Sequence, residues 1–320
     1  MSRAAAAGLV AVLVVLPWAG AGEYPLALLY STFMYATLAV AWNIIGGFAG
    51  YLSFGHAAFF GLGGYATGFL LVHAGLSPFL TAPVGGVVAA VFAALAGYPC
   101  LRLRGPYFAV VTMILGLAVR AVVLNLPWAG AAEGLWMTLP PWEPLAARRA
   151  FYYAMLGIAL VTALAGRAVR LGKMGVGLEA IREDEDAAQS IGVPAVRLKM
   201  SALILSAGLT GLAGGIYAYD RSYIHPDFMF DLHLSVLAVL MALLGGRQSW
   251  AGPILGAVVV RLVDELLTVR VGTEAARIIF GLGLALVIVL LPDGLLPHLM
   301  RLRRRAPRPP AAVPAAVVRP

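Results

Sequence analysis

The chain has 320 residues, of which 61% are hydrophobic and only 12% are charged. Globular domains are about 45–50% apolar and about 25% charged, so this composition argues against a soluble fold and for a membrane protein. The formal net charge of +8 does not indicate a nucleic-acid partner, because basic residues also collect on the cytoplasmic side of membrane proteins. The single cysteine, Cys100, excludes an internal disulfide and a cluster of cysteine metal ligands.

Apolar runs occupy most of the chain. A run of about 18 or more apolar residues is long enough to span a membrane, and backbone in lipid must form its own hydrogen bonds, so these runs predict helices. They lie near residues 4–22, 26–47, 55–76, 79–98, 106–126, 150–166, 200–219, 232–246, 251–268 and 275–292. Several are short or interrupted by glycine. We therefore predict an all-α, polytopic integral membrane protein with about 8–10 transmembrane helices.

The first 25 residues differ from the rest. Arg3 is followed by an apolar run and then by "PWAGAGE", a small-residue stretch typical of a signal-peptide cleavage site. We interpret residues 1–25 as an anchor that is retained, with a cleaved signal segment as the alternative. Both interpretations give the same orientation for everything after Glu23.

The basic residues predict that orientation. We assign both termini, the longest link (167–199) and the links after the fourth and eighth runs to the cytoplasmic side of the membrane. That side then holds 16 of the 23 lysines and arginines. Such a bias is typical of cytoplasmic loops, although Arg148 and Arg149 fall on the outside and Arg261 lies within a predicted span. The outside loops are too brief to capture a dilute solute, so a high-affinity importer would need a separate capture protein.

The segment "GGFAGYLSFGHAAFFGLGGYATG", residues 46–68, combines glycines with polar residues in an apolar run. Polar groups in lipid cost free energy unless they pair or face a cavity. Broken helices also expose backbone groups that can meet a polar substrate. Asn43, Ser53 and His56 are therefore candidate residues of a translocation path.

The glycines of this segment support a second interpretation. Gly61, Gly64 and Gly68 recur at spacings at which small residues let helices pack closely. A similar combination of a double glycine, a polar turn and a Gly252-xxx-Gly256 pair occurs in "GGRQSWAGPILGA". We expect a two-half pseudo-repeat on this basis.

The segment "LEAIREDEDAAQSIG", residues 178–192, holds five of the 15 acidic residues of the chain. Apolar positions recur every three or four residues, which predicts one or two short amphipathic helices with an apolar stripe for docking. Gly192 suits the position after a helix end, and a nearby proline prevents continuation. Anionic lipids repel acids, so the segment points to a protein partner, with a solvated loop as the alternative. The stripe consists of Met174, Leu178, Ile181, Ala188 and Ile191.

No residue pattern indicates an enzyme. The nearest approach to a phosphate-binding loop is "GRAVRLGKM", residues 166–174, which has one residue too many between its glycines and Met174 in place of serine or threonine. No nucleophile–base pair or metal-ligand set is recognisable. We expect no catalytic, cofactor-binding or metal-ligating residues, so any ATP would be bound by another chain.

Charged residues also occur inside the ninth run. Arg261, Asp264 and Glu265 have spacings of three and four, which place either acid beside the arginine on one helix face. A lone charge at the bilayer centre costs about 2.5–3.5 kcal/mol on insertion scales. We therefore predict an intramembrane ion pair, with a direct role in the path as the alternative. Residues 299–320 form a basic, proline-rich tail that we expect to be disordered and cytoplasmic.

Several segments resemble the permeases of branched-chain amino acid ABC importers. "DAAQSIG", which begins at Asp186, resembles the EAA---G loop of ABC-importer permeases, with aspartate in place of the first glutamate. "RGPYFA" and "AIREDE" resemble the M-type subunit more than its H-type partner. The other similar segments are "WNIIGGFAGYLSFGHAAFFGLGGY" (42–65), "LRLRGPYFAVVT" (101–112), "EAIREDEDAAQSIGV" (179–193) and "GGRQSWAGPILGA" (245–257).

The resemblance implies that residues 26–298 form a permease domain and that 167–199 is its cytoplasmic coupling loop. In that family the loop docks into the cytoplasmic ATPase. This implies an ATPase-coupling role for Glu179, Arg182, Glu183, Asp184, Glu185, Asp186, Ala187, Ala188 and Gly192.

The resemblance also implies the assembly and its location. The expected partners are an H-type permease subunit, two cytoplasmic ABC ATPase subunits and a periplasmic binding protein, in a bacterial inner membrane. Branched-chain amino acids are the expected solutes, and urea or short amides are the alternative. An ATP-independent secondary transporter or channel is the alternative from a different class.

Overall fold

The computed structural model describes residues 3–20, 22–138, 140–271, 281–282 and 294–298. Helices dominate these residues, which confirms the predicted all-α class. The helices are α1 (Arg3–Val15), α2 (Glu23–Ile45), α3 (His56–Ala74), α4 (Pro78–Cys100), α5 (Pro106–Leu124), α6 (Pro144–Leu171), α7 (Lys173–Glu183), α8 (Glu185–Ser190), α9 (Ala195–Arg221), α10 (Pro226–Met229), α11 (Leu232–Gly245) and α12 (Gly252–Val271). Two short strands, β1 (Leu135–Trp136) and β2 (Tyr223–Ile224), pair antiparallel.

Among the described residues, seven helices are long and apolar enough to cross a membrane. They are α2, α3, α4, α5, α6, α9 and the segment Pro226–Gly245 that contains α10 and α11. The helix in the first expected run, α1, has 13 residues and a length of about 20 Å. It is therefore shorter than the hydrocarbon core of a bilayer, which is about 30 Å thick. α12 carries four charged residues within its 20. The tenth expected run, 275–292, and the tail, 299–320, lie outside the described residues.

α9 lies at the centre of the bundle and packs against α2, α3, α4 and α6. Its contacts with α3 and α4 run along faces of glycine and alanine. A Cβ atom at Gly63 would collide with the backbone of Gly211, and one at Gly214 would collide with the carbonyl of Phe60. A Cβ atom at Gly85 of α4 would likewise collide with the carbonyl of Gly63. Small residues allow this backbone approach, and van der Waals contact then stabilises the pairing in lipid.

Other glycines of α3 make room for side chains. A Cβ atom at Gly61 would meet the ring of Phe230, and one at Gly64 would meet the methyl group of Met229. At these two positions the glycines of α3 leave room for side chains at the end of α10.

The connections between helices collect at two ends of the bundle. At one end, Arg182 approaches the carbonyl of Gly47 and Arg170 donates to the carbonyl of Gln248 at 2.9 Å. The α2–α3, α4–α5, α6–α9 and α11–α12 connections all lie there, and we call it the α8 end. This grouping matches the alternation that the sequence predicts.

The opposite end, which we call the β-ribbon end, is held by two ion pairs and the strand pair. Arg120 contacts Asp227 at 2.6 Å, and Arg148 contacts Asp220 at 2.9 Å. Arg148, which opposes the charge bias, is therefore neutralised by a partner on α9. Arg149 lies over the ring of Trp18 at 4.8 Å. The β-ribbon was not expected from the sequence, because two-residue strands carry no detectable period.

Candidate functional site

α7 and α8 form the longest connection at the α8 end. They separate at Asp184, whose extended backbone (φ −157°) ends α7. Its carboxylate accepts hydrogen bonds from the backbone N–H groups of Asp186 (2.9 Å) and Ala187 (3.0 Å), which caps the start of α8. Gly192 follows α8 with a φ of +90°, a conformation that glycine adopts without steric cost. The prediction of one or two short helices that end at Gly192 is confirmed, and the structure has two.

The apolar stripe of these helices packs against the bundle. Leu178 is fully buried, and Ile181 and Ala188 are 3% exposed. Helical spacing predicts a buried face but does not specify which surface covers it. The prediction that the stripe docks onto a partner is therefore wrong for these three residues. Ile191, at the end of the stripe, is 80% exposed.

Glu185 anchors α8 to the bundle. Its carboxylate contacts the ammonium group of Lys199 at 2.6 Å and accepts a short hydrogen bond from the hydroxyl of Tyr51. Lys199 also donates to Tyr51 at 2.8 Å and to the carbonyl of Leu101 at 3.4 Å. The side chains of Lys199 and Glu185 are only 1% and 11% exposed. A buried ammonium is satisfied here by three oxygens from three different connections or helices.

The surroundings of this cluster set its protonation. Burial acts to raise the pKa of Glu185, but hydrogen bonds from Lys199 and Tyr51 outweigh it, so the pKa lies below its usual value. Burial and the bond to Glu185 raise the pKa of Tyr51. Glu185 is therefore a carboxylate and Tyr51 a neutral phenol at physiological pH.

The neighbouring acids are also paired within the chain. Asp186 accepts two hydrogen bonds of 2.8 Å from the guanidinium of Arg104, which lowers the pKa of Asp186. Glu179 contacts Arg170 of α6 at 2.9 Å. Arg182 contacts Glu183 at 2.7 Å and Glu179 at 3.6 Å. The acids that the sequence offers as a surface for a partner thus also fasten the segment to the bundle.

Sequence reasoning missed the side chains that bind the acids of this site. They lie outside the charged segment, and each comes from a different element. They are Lys199, Arg104, Arg170 and Tyr51. One signal was present, because a lysine within the first turns of an apolar span requires a partner. The sequence gives no distance between that lysine and the acids, so their pairing was not predictable.

The structure places Asn43, Ser53 and His56 in the packed interior beside the break between α2 and α3. All three are at most 1% exposed. His56 Nε2 lies 2.7 Å from the hydroxyl of Ser206, and Asn43 donates to the carbonyl of Ser249 at 3.2 Å. His56 Nδ1 and the Asn43 side-chain oxygen have no hydrogen-bond partner among the described residues.

Arg261, Asp264 and Glu265 lie together on α12. Arg261 contacts Asp264 at 2.9 Å and Glu265 at 2.6 Å, and it donates to the hydroxyl of Ser31 at 3.0 Å. Tyr24 donates to Glu265 at 2.6 Å. The cluster therefore fastens α12 to α2 in addition to neutralising the arginine.

Comparisons with known proteins identify the class. A family described as branched-chain amino acid transport system / permease component matches residues 24–290. The permease protein LivM of the high-affinity branched-chain amino acid transport system of Escherichia coli (strain K12) is 32% identical over 295 residues, which cover 83% of this chain and 68% of that protein. LivM of Salmonella typhimurium is 31% identical over 296 residues, with the same coverage.

A second type of relative matches less of the chain. LivH of Escherichia coli (strain K12), a permease protein of the same named transport system, is 25% identical over 128 residues, 40% of this chain and 41% of that protein. No solved structure matches the chain.

The family match assigns this polytopic helical bundle, with its charged helical connection at one end, to the membrane transport permeases. The chain belongs to the family of branched-chain amino acid transport system permease components, and within that family it is of the M type. The family consists of transport permease subunits, and an ATP-independent carrier or channel is not favoured.

Proposed function

We propose that this chain is one of two membrane subunits of an ATP-driven importer of branched-chain amino acids. An H-type permease is the second subunit, two ABC ATPase subunits bind at the α8 end, and a periplasmic binding protein delivers the solute at the β-ribbon end. The observation that carries this proposal is α8 itself, a short helix that is exposed at one end of the bundle and fastened to three of its parts.

The attachments of α8 and α7 explain how motion would pass through the membrane. Glu185 reaches α9 through Lys199 and the α2–α3 connection through Tyr51. Asp186 reaches the α4–α5 connection through Arg104, and Glu179 of α7 reaches α6 through Arg170. A force applied to the α7–α8 segment would therefore reach α6, α9 and the α2–α3 and α4–α5 connections, because ion pairs and one hydrogen bond link the segment to each of them.

The surface left for an ATPase is small and partly apolar. Ala187 and Gly192 are exposed, and Ile191 is 80% exposed. Ala188 faces the bundle and supports the helix. Exposed apolar residues within a polar rim are typical of docking sites, so Ile191 is the proposed apolar anchor.

The distribution of basic residues supports the orientation of the chain in the membrane that this proposal requires. We place the α8 end in the cytoplasm, with the tail at 299–320 on the same side, because this end holds more basic residues than the β-ribbon end. Those at the α8 end are Arg102, Arg104, Arg167, Arg170, Lys173, Arg182, Arg197, Lys199 and Arg247. The membrane is the inner membrane of a bacterium, because a periplasmic protein delivers the solute.

The break between α2 and α3 belongs to the proposed translocation path. Asn43, Ser53 and His56 surround this break, and Tyr51 within it contacts the coupling helix through Glu185. Movement of α8 would therefore reach these polar residues through Tyr51 and the backbone of the α2–α3 connection. Arg261, Asp264 and Glu265 have a structural role in this proposal, since they hold α12 against α2.

Uptake into proteoliposomes tests the function. We expect labelled leucine to accumulate when this chain is reconstituted with its H-type partner, two ATPase subunits and a binding protein, and to do so only with ATP on the α8 side. Urea at the same concentration should not compete. Accumulation that follows an imposed ion gradient without ATP would contradict the importer proposal.

A further inference from the structure

A cavity of about 240 Å³ lies at the β-ribbon end, between the ends of three helices. Its walls include Glu23 at the start of α2, Arg148 in the first turns of α6 and Asp220 in the last turn of α9. The segment that precedes α6 closes one side with Pro140 and Trp142. Drug-sized ligands occupy pockets of about 300–1,000 Å³, so this volume suits a smaller molecule.

The charges of the cavity are of both signs. Arg148 contacts Asp220 at 2.9 Å, and the side chains are 31% and 7% exposed. Glu23 adds a second carboxylate at the rim. The lining therefore offers two carboxylates and one guanidinium, so a ligand that carries both an ammonium group and a carboxylate can pair with charges of both signs.

One wall of the cavity is aromatic and rigid. Phe151 is 4% exposed, and its ring lies 5.5 Å from that of Phe79 and 5.3 Å from that of Tyr219. The ring of Trp142 stacks on Phe79 at 5.9 Å. Aromatic side chains held by one another form an apolar surface at low entropic cost, and such a surface accepts an aliphatic side chain.

A buried hydroxyl lies below this site. Tyr30 stands seven residues after Glu23 on α2, which places both on the same helix face. Tyr30 is 3% exposed, and its hydroxyl has no hydrogen-bond partner among the described residues. Asp220 and Arg148 are among the charges that act on this hydroxyl. Most buried hydroxyls have a hydrogen-bond partner, so the described residues leave Tyr30 with a free donor near the cavity.

We propose that this cavity binds the zwitterion of an α-amino acid with an aliphatic side chain. The ammonium group pairs with Asp220 and Glu23, the carboxylate pairs with Arg148, and the side chain packs against Trp142 and Phe151. Entry of the ligand replaces one ion pair within the chain by two between chain and ligand, so no buried charge is left without a partner. The inference rests on the proposed function for its solute class, and it adds where the solute first contacts this subunit.

Photolabelling of the purified full-length chain tests the site. The probe is a diazirine analogue of leucine, and the adducts are mapped by mass spectrometry of peptides. We expect adducts within residues 140–151. Leucine should prevent them, whereas 4-methylpentanoic acid, which lacks the ammonium group, and 3-methylbutylamine, which lacks the carboxylate, should not.

Two variants separate recognition from stability. Asp220→Asn should reduce the competed labelling by about tenfold or more, because a hydrogen bond between charged groups is lost. Asp227→Asn breaks the other ion pair of the β-ribbon end, outside the cavity, and should label like the wild type. Glu23→Gln at the exposed rim should weaken labelling by a smaller factor without a change in folding.

Three results would overturn the inference. They are adducts outside residues 140–151, equal competition by the acid or the amine, and equal losses in Asp220→Asn and Asp227→Asn. Failure here together with ATP-driven uptake of leucine would leave the proposed function standing. Labelling as expected together with uptake that needs no ATP would refute the importer and keep the site.

Discussion

Replacing Lys199 with methionine should destabilise the protein by about 3–5 kcal/mol, the cost of leaving one partner of a buried ion pair uncompensated. The carboxylate of Glu185 is only 11% exposed and contacts the ammonium of Lys199 at 2.6 Å. We expect the variant to accumulate poorly and to be cleaved by protease between α7 and α9. Detergent-solubilised protein can be followed by size-exclusion chromatography after heating.

The double variant Lys199→Met/Glu185→Gln should recover much of the lost stability, because no buried charge remains. Lys173→Met is the matched control, since Lys173 is the exposed lysine at the start of α7. A Lys199→Met protein as heat-resistant as this control would contradict the anchoring role of the pair.

The pH dependence of the double variant gives a further check. The lowered pKa of Glu185 means that its stabilising contribution is present above the usual pKa of a glutamate and is lost as the pH falls through the lower folded value. The advantage of the wild type over the double variant should therefore be present at neutral pH and shrink in acid.

Gly63→Ala should have the second large effect. The added Cβ atom would collide with the backbone of Gly211, and a backbone obstacle cannot rotate away as a side chain can. Overpacking costs about 1–3 kcal/mol and occasionally more, and this position belongs to the upper part of that range because α3 and α9 must separate. We expect a strong fall in the amount of folded protein.

Gly157→Ala in α6 is the matched control, since within the described part of the chain a Cβ atom there would meet nothing within 4 Å beyond its own helix. This variant should be neutral or slightly stabilised, because alanine favours a helix by about 1 kcal/mol over glycine. Equal folded amounts of the two variants would show that α3 and α9 do not depend on backbone contact at Gly63.

The sequence predicts the helices well and their contacts poorly. Hydropathy locates α2 to α6 because each span must be apolar along its length, and Gly192 marks the end of α8 because its conformation favours glycine. The glycines of α3 predict that some helix packs closely against it, but they do not predict which one. The close approach of Gly63 to Gly211 of α9 was therefore not predictable.

At the candidate site, too, the sequence predicts the local structure but not the long-range contacts. The charged segment predicts α7 and α8 and their acids, because capping and spacing are local. The apolar stripe was assigned to a partner although Leu178 and Ala188 are covered by the chain's own bundle. Lys199 is 14 residues from Glu185, and their contact depends on how α9 enters the bundle. Long-range pairing of this kind is fixed by tertiary packing, which a single sequence does not reveal.

The central claim is that α8 transmits the action of an ATPase, and Ile191→Glu tests it most directly. Ile191 is 80% exposed, so the change places a charge on the proposed docking surface without disturbing the buried Ala188 or the Glu185–Lys199 pair. Phe228→Glu at the β-ribbon end is the matched control, because Phe228 is 69% exposed. Both variants should insert and fold like the wild type.

The measurement is ATP hydrolysis by the reconstituted importer, stimulated by solute-loaded binding protein, together with the amount of ATPase that co-purifies with each variant. The account predicts that Ile191→Glu lowers both by about tenfold, the loss expected at an interface hot spot, and that Phe228→Glu retains the co-purified ATPase. Normal ATPase association and normal stimulated hydrolysis in Ile191→Glu would contradict the assignment of α8 as the coupling helix.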